Sequence, residues 1–169
     1  MVSLISFMIE DTKDCMQKLL KETIFNDFLC VQFELIHLYK VSVDGQLRFE
    51  PLSEEERAAY ESRKYILWSD FQSTALEMIK GHKTPTSMKI VFSLNQKAKH
   101  NLLSRLPNFD ENAVTNFTFI LTYENKRIKV VTGTNYATFI LDKEAERFFD
   151  DSMLKFFKKH GMNALLALD

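Results

Sequence analysis

Glycine occurs four times and proline three times in 169 residues, too few for a flexible linker or a low-complexity tract, so the sequence reads as one domain, 1–169. Cysteine is as scarce. Cys15 and Cys30 cannot build a disulfide framework and have no metal-ligand spacing. They read as buried thiols in a reducing cytoplasm, with Cys15, in the first turn of an expected helix, the one candidate for an activated thiolate. No apolar run reaches the roughly 18 residues that span a bilayer. The start, MVSLISFMIEDTKD, lacks a basic leader, so a first strand and no membrane association are expected. An excess of charge is missing too. Twenty-two basic against 23 acidic residues give a net charge of −1, without the broad positive field of a dedicated nucleic-acid binder.

Chemical motifs are equally sparse. His37, His82, His100 and His160 lie far apart and show no HxH or HExxH spacing, so no metal is expected. There is no GxGxxG, no GxxxxGK[ST] and no GxSxG, and no cofactor is expected. Glu146 and Asp150 share a face of the last helix and read as part of a solvated stripe; Asp150 and Asp151 are adjacent and do not point at one target.

What is present is apolar periodicity. Fifteen phenylalanines stand in a chain that is 46% hydrophobic, and most belong in a core. Leu4 to Ile9 reads as a strand, and Asp11 or Thr12 caps a helix to about Glu22. From Val31 to Val43 alternate residues are apolar, which predicts one long strand. A Val43-Asp44-Gly45 loop would then pair Val41 with Leu47 and Tyr39 with Phe49, with Gly45 left-handed in a bulge. Ser53 with Glu56, and Ser69 with Gln72, read as capping boxes, the second opening a helix closed by Gly81. Met88, Ile90, Phe92 and Leu94 alternate, a short helix follows to Pro107, and Phe117 to Tyr123 alternate again. A Glu124-Asn125 turn would pair Leu121 with Ile128.

The run KVVTGTNYATF, Lys129 to Phe139, is the most motif-like in the chain. A type II′ turn at Gly133-Thr134 would set Val130 against Ala137 and Ile128 against Phe139. Thr132, Thr134 and Asn135 then read as turn and edge residues needing no ligand, and Tyr136 to Leu141 as the third strand of a meander. The last helix runs from an Asp142 cap to Gly161, with Phe149, Met153, Phe156 and Phe157 as anchors. The expected fold class is α+β: antiparallel sheet built from a long N-terminal hairpin and a C-terminal three-stranded meander, with four to five helices packed against it.

The order WSDFQSTALEMIKGHKTPTSMKIVFSL, then FILTYENKRIKVVTGTNYATFILDKEAERFFDD, resembles an uncharacterised family of small bacterial proteins of the kind found in clostridia and their relatives. That resemblance implies a bacterial cytoplasmic source and no assigned activity. On the residues, the leading expectation is a binding domain without catalysis, with another protein or a second copy of the chain as partner. Its contact candidates are Trp68, Met162, Leu165, Leu166 and Leu168. A second expectation is an enzyme whose site assembles from His37, Tyr39, Arg127 and Thr132. A third is weak nucleic-acid binding through Lys97, Lys99 and Arg105 on one helix, joined by Lys126, Arg127 and Lys129 if the meander packs beside it.

Overall fold

The computed structural model describes residues 5–60, 63–80 and 84–166. In chain order come β1 (Ser6–Ile9), α1 (Thr12–Lys21), β2 (Leu29–Ile36), β3 (Lys40–Asp44), α2 (Glu54–Ala58), β4 (Ile66–Leu67), α3 (Trp68–Ile79), β5 (Ser87–Ser93) and α4 (Gln96–Leu103). A single 3-10 turn, Glu111–Ala113, leads into β6 (Val114–Glu124), β7 (Arg127–Tyr136), α5 (Glu144–Lys159) and β8 (Ala164–Leu166). All eight strands join one antiparallel sheet in the order β3-β2-β5-β6-β7-β1-β8, with β4 paired to β2. The fold class is therefore α+β, helices on an antiparallel sheet, as the alternating patterns indicated. The expected Gly81 helix stop, His82 and Leu168 lie outside the described residues.

One face of the sheet carries the core. A row of register partners, Phe33, Ile90, Leu121, Val130 and Phe7, is fully buried across five strands. The next row, Cys30, Phe92, Phe119 and Thr132, lies beside it on the same face because side chains alternate every second residue. Trp68 and Phe71 of α3 meet Phe33, and Phe149 and Phe157 of α5 meet Phe117, Phe119 and Phe7 at ring separations of 4.8–6.3 Å. The opposite face, with Gln32, Glu34, Lys89, Val91, Ile120 and Val131, is half-buried.

Caps placed by sequence hold at several ends. Asp11 accepts the Asp14 N–H at 3.1 Å, Ser53 and Glu56 form a reciprocal box, and Gly161 stops α5 at φ +75°. The expected Asp142 cap is displaced: Lys143 is the N-cap of α5 with no side-chain cap bond, and Asp142, one residue earlier, accepts the Glu144 N–H. Before α3 the partner differs. Asp70 accepts the Leu67 N–H at 3.0 Å, while Gln72 reaches the Leu19 and Glu22 carbonyls.

Three turns depart from expectation. The alternating run from Val31 to Val43 is not one strand. It folds back at His37–Tyr39, so Leu35 pairs with Val41 and Phe33 with Val43. No glycine or proline marks that turn, and period-2 alternation continues through a tight reversal, so the pattern concealed it. In the β6–β7 hairpin, Glu124 pairs with Arg127 and the turn is Asn125-Lys126, both at positive φ as a type I′ turn requires. The resulting slip of two residues sets Leu121 opposite Val130 and leaves every side chain on its expected face. The third departure is the largest. Gly133 and Thr134 are not a turn but lie inside β7, opposite Thr118 and Phe117. Tyr136 to Leu141 supplies no third strand; Phe139 and Leu141 are exposed in an irregular connection. The three-stranded meander is instead β5-β6-β7, and β1 takes the place beyond β7.

Candidate functional site

The start of β2, the end of β5, the start of β6 and the chain entering β4 surround a cleft of about 440 Å³. Four cations line it from separate segments: Arg63 and Lys64 before β4, Lys97 and Lys99 in the first turn of α4. Among the described residues, Asp27 is the only carboxylate in its lining. The walls are held by ordinary chemistry. Asn95 caps α4 by accepting the Ala98 N–H at 2.8 Å and donates its amide to the Asp27 carbonyl at 3.0 Å. Lys99 Nζ donates to the Thr115 carbonyl at 3.4 Å.

Arg63 is the most constrained of the four cations. Its Nε donates to the Tyr60 carbonyl at 3.1 Å, its guanidinium stands 5.4 Å from the Tyr60 ring centre, and Asp70 lies 3.8 Å from Nη1. Among the described residues Nη1 is buried with no hydrogen-bond acceptor, so part of a planar donor fork is unspent there. Among the described residues, Lys64 and Lys97 form no ion pair. The first-turn amides of α4 add the positive end of a helix dipole to this wall.

The other basic residues do not join this cleft. Arg105 lies at the rim of an apolar groove of about 280 Å³ between α4 and α5, lined by Ala98, Leu102, Phe148 and Phe156 among others. Lys126, Arg127 and Lys129 cluster at the far end of the β6–β7 hairpin. Thr115, which holds Lys99, and Glu124 stand at opposite ends of β6, roughly 30 Å apart at about 3.3 Å per residue. A surface joining the α4 lysines to that hairpin tip is therefore not formed.

The dispersed enzyme candidates do not converge either. His37 and Tyr39 lie in the β2–β3 turn with their rings 5.3 Å apart, and Arg127 opens β7, three strand spacings or roughly 14 Å across the sheet. Thr132 lies five residues further along β7 and is fully buried. Trp68 and Met162 are core residues, which removes them from any contact surface; Leu165 is 56% exposed on β8, next to Leu166. Cys15 and Cys30 are buried, and desolvation pushes both thiols up to about 12, so neither supplies a thiolate at neutral pH. No helix among the described residues is long and apolar enough to cross a membrane.

A second polar assembly, on the core face, is one the sequence reading missed. Thr132, Thr134 and Tyr136 continue the inward face of β7 begun by Ile128 and Val130, and α5 lays Glu146 and Asp150 over them. Glu146 is fully buried and Asp150 is 6% exposed, so they are not a solvated stripe. The signal was available: both carboxylates flank Phe149 within the apolar stripe of α5, and Thr132 and Thr134 have the same parity as Val130. Thr132 Oγ1 accepts the Ile5 N–H at 3.3 Å and has one proton to give, either to the Ile5 carbonyl at 3.4 Å or to Asp150. The Tyr136 hydroxyl faces Glu146 without closing a well-formed hydrogen bond, and desolvation with the nearby carboxylates raises its pKa. Lys143 Nζ approaches Glu146 Oε1 to 3.5 Å from a half-exposed position.

Burial raises the Asp150 pKa to about 6, helped by the charges of Glu146 and Asp151 and opposed by Thr132. The unfolded chain titrates this group near ~3.9, so the folded state holds its proton more tightly. Stability from this group is therefore fully present below about pH 4 and is lost as pH rises through about 6. Asp150→Asn removes the burdened charge. We expect urea unfolding at pH 8 to show the variant about 1–3 kcal/mol more stable than wild type, with the difference shrinking toward zero as the pH falls to about 4. A difference that is constant across that range would sink this assignment.

No curated protein and no solved structure matches the chain. Residues 18–164, a span holding every residue of the cleft and of the Thr132–Asp150 assembly, match the family of unknown function DUF5721, and the chain belongs to that family.

Proposed function

We propose that this protein is a binding domain without catalysis, whose cleft takes a phosphate-bearing ligand of nucleotide size, free or as part of a single nucleic-acid strand. The observation carrying this reading is the convergence of Arg63, Lys64, Lys97 and Lys99 on one cleft with, among the described residues, a single lining carboxylate, in a chain whose net charge is −1. Cations gathered against an almost neutral background mark a local anion site rather than a general polyanion surface. The volume suits one nucleotide unit, and four cations suit one or two phosphates. The cytoplasmic, bacterial setting implied by the sequence resemblance is part of this reading.

The test is fluorescence polarisation with a labelled oligothymidylate, competed by pyrophosphate and by a mononucleotide. Lys64 and Lys97 are changed together to Glu because both are exposed and form no ion pair among the described residues. The double variant is expected to bind more than about tenfold more weakly, with a shallower salt dependence. Arg105→Glu, on the other side of α4, is expected to stay within about twofold of wild type. Absence of binding to all three probes, or equal weakening by Arg105→Glu, removes the reading.

A second reading, contact with another protein or a second copy of the chain, is favoured by Phe139 at 88% and Leu141 at 81% exposure in one short connection. Sedimentation as a monomer at micromolar concentration removes the second copy from it.

A further inference from the structure

The assembly between β7 and α5 holds five buried side-chain oxygens that close no well-formed hydrogen bond among the described residues: both carboxylate oxygens of Glu146, Oδ1 of Asp150, Oγ1 of Thr134 and the Tyr136 hydroxyl. Buried polar atoms are almost always paired, and a group of them left over in one place points to an ion or ordered water. Thr134 is fully buried and stands between Thr132, which meets Asp150, and Tyr136, which meets Glu146. Strand alternation aims all three at the same helix face, and the i,i+4 spacing aims both carboxylates back at the strand. We propose that Glu146, Asp150, Thr134 and Tyr136 form a binding site for a hard divalent cation, Ca²⁺ by its coordination demand.

The donor set decides the class. It contains oxygen only, with neither imidazole nor thiolate, which disfavours zinc, copper and iron–sulfur chemistry. Ca²⁺ takes six to eight oxygens in flexible geometry, and five protein oxygens leave one to three positions to water. Mg²⁺ demands a near-ideal octahedron and keeps several waters, for which a closed site between a strand and a helix has little room. The resident positive charge is Lys143, half-exposed at 3.5 Å from Glu146 Oε1, and an entering ion displaces it toward solvent. A proton on Asp150 satisfies one oxygen; an ion satisfies the group. The residues differ from those of the basic cleft. No residue lining the cleft belongs to the Glu146–Asp150 group, and the side chain of Asn116, which lines the cleft, is on the opposite side of the sheet from Thr134 and Tyr136.

The test uses the full chain, treated with chelator and melted near neutral pH with CaCl₂, MgCl₂ or NaCl at matched ionic strength. Ca²⁺ at tenfold above its Kd is expected to raise Tm by about 3–6 °C, with Mg²⁺ clearly less effective. Thr134→Val, which keeps shape and burial, and Asp150→Asn are each expected to lose most of that rise while remaining folded. Lys143→Gln is expected to tighten Ca²⁺ binding severalfold by removing the competing ammonium. Tb³⁺, as a Ca²⁺ substitute excited through tyrosine, is expected to luminesce on the wild type and not on Tyr136→Phe. A Ca²⁺ rise no larger than that given by matched NaCl overturns the proposal, and so does an undiminished rise in both Thr134→Val and Asp150→Asn.

Discussion

Trp68→Ala is expected to lower the unfolding free energy by about 3–5 kcal/mol, the range for truncating a large buried aromatic. Trp68 opens α3, is fully buried, and sits where that helix crosses the sheet. Its ring meets Phe33, Phe71 and Phe92 at centroid separations of 6.3, 6.1 and 5.4 Å, so truncation leaves a cavity walled by three other rings. Those rings belong to α3, β2 and β5 and cannot all close on the gap without shifting α3 against the two paired strands. The indole also donates from Nε1 to the Leu19 carbonyl at 2.8 Å, joining α3 to α1. Gln72 donates to the same carbonyl at 2.9 Å, so losing the indole N–H does not orphan it. Trp68→Phe, which keeps most of the ring area, should therefore cost only about 1–2 kcal/mol. Against a total stability of about 5–15 kcal/mol, the alanine variant is close to losing its fold at body temperature. Urea denaturation of both variants checks the ordering, and an alanine cost below that of phenylalanine would refute the packing argument.

Gly45→Ala is expected to cost at least about 2–4 kcal/mol, although it adds one methyl group. The sequence pattern suggested a left-handed glycine in a hairpin bulge. The structure places Gly45 elsewhere and for another reason: its φ is not positive, and its Cα lies against the backbone of β2. A Cβ there would stand 1.8 Å from the Cys30 carbonyl oxygen and 2.9 Å from its carbon. Neither atom is the end of a flexible side chain, so the strand itself must shift. Gly45 also donates to the Val31 carbonyl at 3.0 Å and accepts from the Ile66 N–H at 2.9 Å. It sits where β2 exchanges β3 for β4 as its partner, beside the irregularity between Cys30 and Gln32. Faster amide exchange at Cys30 and Ile66, together with the loss of stability, is the expected signature. A change smaller than about 0.5 kcal/mol would show that β2 yields there at little cost.

These two positions show why part of the fold was legible before any coordinates and part was not. Alternation at Met88–Phe92, Phe117–Tyr123 and Ile128–Val130 named the inward face, and that face survived even where the register slipped, because the β6–β7 pairing moved by two residues. Caps at Asp11 and Ser53 were legible because each is a local bond spanning three residues. Turn positions were less so. Thr-Gly-Thr-Asn has turn chemistry, yet pairing with β6 on one side and contact with Ile5 of the incoming chain on the other gave its backbone partners a turn would not have, and it stayed extended.

The sites lay further from the sequence. Lys97 and Lys99 were visible as a basic first turn, but Arg63 and Lys64, more than thirty positions earlier, became their neighbours only through the pairing of β4 with β2 and β2 with β5. Glu146 and Asp150 looked solvated because carboxylates usually are, and only the packing of α5 on β7 withdrew them from water. Residue pattern and short-range bonding thus determined the secondary structure, the buried face and the fold class of this chain. Strand order, which spans more than a hundred residues from β1 to β7 and has no local energetic signature, decided which charged groups meet, and with them both candidate sites.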